Sequence, residues 1–171
     1  MSAEQGAYSE RAYKIATLDD LIGHTSWGQR GRVALNRRTS PEMLATMAED
    51  ENLWVRGCVA RNPSTPSNVL AGLAEDEDWG VRMFVAVHPH TSLATLSILA
   101  DDKHPWVRSC VACNPTVSSD MLARLATDED DGVRSASTSA IVARLGERAN
   151  HPISDLAISD TLCPARSKEG V

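Results

Sequence analysis

From Gln29 to Arg134 the sequence repeats every 26 residues without insertion or deletion. Val55 and Arg56, Val81 and Arg82, Val107 and Arg108, and Val133 and Arg134 open successive copies, with Gln29 and Arg30 in the same frame one copy earlier. Val-Ala follows at Val33, Val59, Val85 and Val111, then a polar stop beginning at Asn36, Asn62, His88 or Asn114. Each copy closes on Leu-x-x-Leu/Met-Ala-x-Asp, ending at Asp50, Asp76, Asp102 and Asp128. A period of roughly 20–50 residues marks stacked repeats, because so short a unit cannot bury its apolar face alone. Each unit then packs on its neighbours, and binding spreads along an extended surface.

The pattern Val-Arg-x-x-Val-Ala-x-Asn-Pro-x-Thr-Pro-x-x-Val/Leu-Leu-x-x-Leu-Ala-x-Asp is nearly complete from Val55 to Asp76. It resembles the repeat of the leucine-rich repeat variant family, a bacterial group of HEAT-like helical solenoids. The resemblance covers about residues 29–134 and recurs in four copies. It implies an all-α fold, a right-handed helical-repeat solenoid of 26-residue two-helix units, with some helices 3₁₀. Some family members carry a cysteine-bound iron–sulfur cluster near the N-terminus. Here no cysteine precedes Cys58, so the cluster is not carried over and no cofactor or metal is expected. Such a scaffold class implies a fold rather than an activity.

Inside one unit the spacing predicts two helices. Around Trp79 to Val87, apolar residues at Val81, Phe84 and Val85 make an i, i+3, i+4 stripe. Pro89 stops that helix, because proline disfavours helical backbone in the residue before it; Pro63 and Pro115 stand in equivalent places. Ser40 before Pro41 and Thr65 before Pro66 read as an N-cap followed by proline at the first helical position. Val69, Leu70, Leu73 and Ala74 then form an apolar face, repeated at Met43, Leu44, Met47 and Ala48 and at Met121, Leu122, Leu125 and Ala126. These faces are expected to build one continuous core.

The expected organisation is an N-terminal cap over residues 1–28, tandem repeats over 29–132, a capping helix over 133–149 and an irregular tail over 150–171. Leu18, Leu21 and Ile22, behind Thr17 as N-cap, echo a degenerate second helix in the cap. After Arg134 the code fails, with Ser137, Thr138 and Ser139 at the Val-Ala positions, so the closing helix should be longer and more polar. Pro152, Cys163 and Pro164 lie in the tail.

Aromatic residues make up only 4% of the chain, which suits close packing of short helices. The net charge is −6, and all the excess negative charge sits beyond residue 65. That balance argues against a nucleic-acid or anionic-membrane partner for the chain as a whole, so any basic patch is local. No apolar run approaches the roughly 20 residues of a membrane span. Residues Met1 to Lys14 lack the apolar stretch of a signal peptide. One cytoplasmic domain is expected.

Two charged sets recur. Asp50 and Arg56, Asp76 and Arg82, Asp102 and Arg108, and Asp128 and Arg134 share an Asp-x5-Arg spacing. A column of arginines can bind phosphate through its planar fork. Each arginine here follows an acid across one short loop, and the family resemblance implies an Asp–Arg ladder tying adjacent repeats. The pairs are therefore read as structural. A less regular set, Arg30, Arg32, Arg37, Arg38, Arg56 and Arg61, crowds the first two units, and Arg37 and Arg38 replace the Pro-Ser of the next copy. Arg30, Arg32, Arg37, Arg38 and Arg61 are candidate nucleic-acid contacts. A solvated basic face competes with that reading, since no aromatic residues interleave for base stacking.

All four tryptophans, Trp27, Trp54, Trp79 and Trp106, fall at the junction between units, beside acidic clusters such as Glu75 to Asp78. One reading has each ring covering the joint. The other makes the rings a ridge of aromatic anchors inside an acidic rim, the residue type that dominates interface hot spots. Both hold if one face of each ring packs and the other is exposed. The partner-binding candidates are the four tryptophans with Glu77, Asp78, Asp101 and Asp102.

Catalysis finds little footing. His24, His88, His90, His104 and His151 show no recurring ligand spacing, and no glycine-rich phosphate loop or Gly-x-Ser-x-Gly element occurs. Cys58 and Cys110 share one repeat slot, and Cys110-x-x-Cys113 is a lone pair, weak as a zinc signal. The sequence reads as a non-enzymatic scaffold for another protein, a basic segment or an apolar helix. The alternative is a nucleic-acid-binding module using the arginine-rich first two repeats.

Overall fold

The computed structural model describes residues 26–150, with side chains to residue 146. The expected cap around Thr17, Leu18, Leu21 and Ile22 and the tail from His151 through Cys163 lie outside the described residues. The described residues form helices joined by short turns, with no strand among them. A first set of helices comprises α1 (Trp27–Leu35), α3 (Leu53–Arg61), α5 (Trp79–Val87), α7 (Pro105–Ala112) and α9 (Asp131–Asn150). A second set alternates with it: α2 (Pro41–Met47), α4 (Ser67–Leu73), α6 (Leu93–Leu99) and α8 (Ser119–Leu125).

Local chemistry sets these boundaries. Ser40, Ser92 and Ser118 cap α2, α6 and α8, each hydroxyl accepting from the backbone N–H three residues on. The expected cap at Thr65 is corrected. Pro66 is the N-cap of α4, without a side-chain bond, and the buried Thr65 hydroxyl donates to the Val59 carbonyl at 2.6 Å. Thr39 and Thr91 do the same to Val33 and Val85. Carbonyls in the last turn of a helix lack intrahelical partners, so this threonine closes the first helix instead of opening the second. Pro63, Pro89 and Pro115 lie just beyond α3, α5 and α7, as the spacing predicts.

One core runs from Ala34 to Val133. The second helices contribute Leu44, Met47, Leu70, Leu73, Leu96, Leu99, Leu122 and Leu125, and the first contribute Val55, Val59, Val81, Val85, Val107 and Val111. Ala34, Ala60, Ala86 and Ala112 are buried in a common slot, where a small side chain lets neighbouring helices approach closely. First helices pack directly on the next first helices, whereas second helices pack chiefly on first helices. Phe84, read from its spacing as part of the inward stripe, is only partly buried, and the Arg61 guanidinium lies over its ring at 5.2 Å.

The closing helix α9 is 20 residues long. It brings Ser137 into the slot held by Val59, Val85 and Val111, fully buried and with no partner for its hydroxyl. No helix among the described residues is long and apolar enough to cross a membrane.

Candidate functional site

The leading ends of the first helices are organised by arginine. The Nε and Nη2 of Arg30 donate to the Asp50 carboxylate at 2.6 and 2.9 Å. Arg56 grips Asp76 at 2.6 and 3.0 Å, Arg82 grips Asp102 at 2.6 and 2.9 Å, and Arg108 grips Asp128 at 2.8 and 2.7 Å. The carboxylate partner therefore lies 20 residues after the arginine, not six before it as the Asp-x5-Arg spacing implied. The earlier aspartate supplies its backbone carbonyl instead: Nη1 of Arg56, Arg82 and Arg108 donates to Asp50, Asp76 and Asp102 at 3.0, 2.7 and 2.8 Å. A guanidinium has five donors in a fixed fork, so one arginine ties two successive inter-unit loops.

These ion pairs are shielded, with no side chain more than 11% exposed. Burial by itself pushes the carboxyls of Asp50 and Asp102 up. That is the largest single influence, but the hydrogen bonds from Arg30 and Arg82, those from the backbone N–H groups of Asn52 and His104, and the nearby positive charges together outweigh it and hold both below the ordinary carboxylate range. At Asp128 the Arg108 hydrogen bond is the leading cause of the same lowering.

Each ladder aspartate also sets the start of the next first helix. Its Oδ1 accepts from the backbone N–H two residues on, at Asn52, Asp78, His104 and Asp130. Those four residues are themselves N-caps, accepting from Trp54, Gly80, Trp106 and Gly132. A continuous chain of contacts thus runs from arginine through aspartate and cap to the turns that carry Trp54, Trp79 and Trp106.

All four rings are substantially in solvent: Trp27 is 54%, Trp54 47%, Trp79 42% and Trp106 64% exposed. Each also has a packing role where a contact is seen. Trp79 stacks on His104 with ring centres 4.3 Å apart and planes 5° from parallel. Trp54 lies against Gly31, where an added Cβ would sit 2.9 Å from the indole nitrogen. Glu49, Glu51, Glu75, Glu77, Asp101 and Glu129 are exposed along the same edge, with Arg124 paired to Asp101 at 2.6 Å. The expected rim loses one member. Asp102 is buried in the ladder, because its carboxylate neutralises Arg82, and Asp78 caps α5. Glu77 and Asp101 stay outside.

The trailing ends carry a second buried ladder that the spacing did not reveal. Asn62 Nδ2 donates to the carbonyls of Ala34 and Asn36 at 2.6 and 2.8 Å. Asn114 Nδ2 donates to Ala86 and His88 at 2.7 and 3.1 Å. Between them His88 Nε2 meets the Asn62 carbonyl at 3.0 Å, while its Nδ1 accepts from the His90 backbone N–H. Those partners require the proton on Nε2 and a bare Nδ1, a neutral ring, and burial pushes the His88 pKa down. Arg144 of α9 closes this ladder, donating to the Val117 carbonyl at 2.8 Å and reaching those of Asn114 and Pro115. The sequence signal was recurrence: His88 replaces asparagine in its slot and keeps one N–H donor.

Of the arginines offered for nucleic acid, Arg30 is buried in the ladder and corrected on that ground: its fork is already filled by Asp50. Arg61 lies over Phe84. Arg32, Arg37 and Arg38 are exposed near the trailing end of α1. Cys58 is buried, Cys110 partly buried and Cys113 exposed, and burial raises the Cys58 and Cys110 thiols. Among the described residues no group of three or more histidine, cysteine, aspartate or glutamate side chains is placed to hold a metal ion. In comparisons with known proteins, no family model, no curated protein and no solved structure matches this chain.

Proposed function

We propose that the chain is a non-enzymatic interaction scaffold, a right-handed solenoid that binds another protein along the leading edge of its first helices. One observation carries this reading: four tryptophans, each 42% exposed or more, share one edge with solvated carboxylates. Large exposed aromatics are unfavourable in water unless something covers them, and aromatic anchors with a polar rim are the usual make-up of an interface centre. The direct packing of first helix on first helix supports an inner layer made by that set, with the second helices outside. A cytoplasmic setting and a protein partner bearing cationic groups fit the acidic edge.

The test is quantitative capture of a partner from a lysate of the source cells by wild type, Trp79→Ala and Trp106→Ala. Each truncation is expected to weaken binding by about 2 kcal/mol or more, beyond any change in melting temperature. The nucleic-acid alternative rests on Arg32, Arg37 and Arg38. Retention of nucleic acid that falls steeply with salt and disappears when those three become serine would replace the protein-binding reading.

A further inference from the structure

We propose that the groove between α3 and α5 is a receptor for one aromatic side chain of a bound protein segment, with a flanking cation held by the acidic edge. The inference rests on the scaffold reading and specifies its recognition chemistry. The repeat itself supplies the template. At the joint between α1 and α3, the indole of Trp54 occupies the space above Gly31. One unit on, Gly57 replaces Gly31 and Gly80 replaces Trp54, so the backbone platform recurs without the ring. A Cβ added at Gly57 would meet nothing nearer than the Phe84 ring at 3.7 Å. What remains is a hollow of about 140 Å³ walled by Trp54, Cys58, Val81 and Phe84.

That volume is close to the roughly 150 Å³ of an apolar cavity that takes up benzene. The next joint lacks the same platform, because Met83 stands where Gly57 does. Charge fixes the flank. Asp78 borders the hollow at its leading end, and the neighbouring acidic edge carries Glu51 and Glu77, 91% and 88% exposed and paired to Arg30 and Arg56 at 3.7 and 3.4 Å. A lysine or arginine next to the aromatic residue would meet these carboxylates and the face of Trp54, which attracts cations through its ring quadrupole. Arg61, over Phe84 at the other end, disfavours a cation there.

The test is selection from a random dodecapeptide phage library on the immobilised full chain, followed by fluorescence-polarisation titration of the selected peptides. The expected consensus is an aromatic residue adjacent to lysine or arginine. Gly57→Leu fills the hollow from its floor and Gly80→Trp restores the chain's own indole. Each should weaken the peptide by about tenfold or more, with folding checked by circular dichroism. Glu51→Lys with Glu77→Lys should weaken it further, and Ile98→Ala, exposed on α6 and outside the hollow's lining, should leave it unchanged. Peptides lacking an aromatic residue, or bound equally by both folded filling variants, would overturn the groove proposal. If the native partner is meanwhile lost on Trp79→Ala and Trp106→Ala, the edge reading stands and only the groove falls. Loss of peptide binding in one filling variant that still melts as wild type supports the groove even if the other fails to fold.

Discussion

At their leading ends the first helices are joined by charged forks, and at their trailing ends by neutral amides. Arg82 spends its donors on the Asp102 carboxylate and the Asp76 and Glu77 carbonyls. Asn114 spends its amide on two carbonyls of the preceding unit. Both ladders satisfy backbone groups that would otherwise be buried without partners. They differ in what they tolerate. The trailing slot accepts a neutral donor, and His88 reaches the Asn62 carbonyl, one of the two positions that asparagine bonds. The leading slot needs a planar cation with donors on two sides, and arginine fills it from Arg30 to Arg134. At the ends of the stack the contrast persists: Arg144 takes over the trailing ladder from α9, whereas Arg134 turns to Asp131 within its own helix.

The sharpest test of this difference is energetic. Arg82→Ala leaves the Asp102 carboxylate buried without its partner and should cost about 3–5 kcal/mol, measured by urea unfolding. A double-mutant cycle should show coupling of Arg82 to Asp102 and near-additivity with Asp76→Ala. Strong coupling to the Asp76 side chain would reverse the partner assignment. The trailing edge should yield less. Asn114→Ala strips the donor from two carbonyls but leaves no charge, for a loss of about 1–3 kcal/mol. A loss equal to that of Arg82→Ala would erase the distinction between the two edges.

A third substitution runs in the other direction. Ser137→Val restores the residue type of the slot and removes a buried hydroxyl with no partner, for a gain of about 1 kcal/mol. A lower melting temperature would mean that the hydroxyl is bonded.

The smallest effect separates the edges by pH. Because the His88 pKa is depressed on folding, the unfolded chain binds its proton first as pH falls. Stability from this site is full above the ordinary histidine value of about 6.5 and declines as pH drops towards the lowered native value. Asp50, Asp102 and Asp128 are also depressed, so their contribution holds above about pH 3.9 and is lost only below it. Melting temperature should therefore fall in two steps, and His88→Asn should flatten the upper one. An unchanged upper slope in that variant would remove His88 as its source.

Much of the helix pattern was legible because it depends on residues close in the chain. The stops near Pro63, Pro89 and Pro115, the capping serine at Ser40 and the apolar faces around Leu70 and Leu122 are local backbone and periodicity effects. Thr65 misled because a hydroxyl before proline resembles a cap, yet it donates back to the Val59 carbonyl in the last turn of α3. The candidate edge was legible as a set of junction tryptophans. The roles of its acids were not, since Asp101 and Asp102 are neighbours in sequence but one is exposed and the other buried against Arg82.

The sequence by itself determined the period, the two helices within each period and most of the residues that face the core, because each follows from spacing within one unit. Only the tertiary structure decided which aspartate each arginine holds, that His88 stands in for an amide, and that the space filled by Trp54 above Gly31 is open above Gly57. Those facts depend on side chains from different units meeting across a joint. An exact repeat makes the partner six residues before and the partner 20 residues after equally regular in the sequence, and only packing in three dimensions chooses between them.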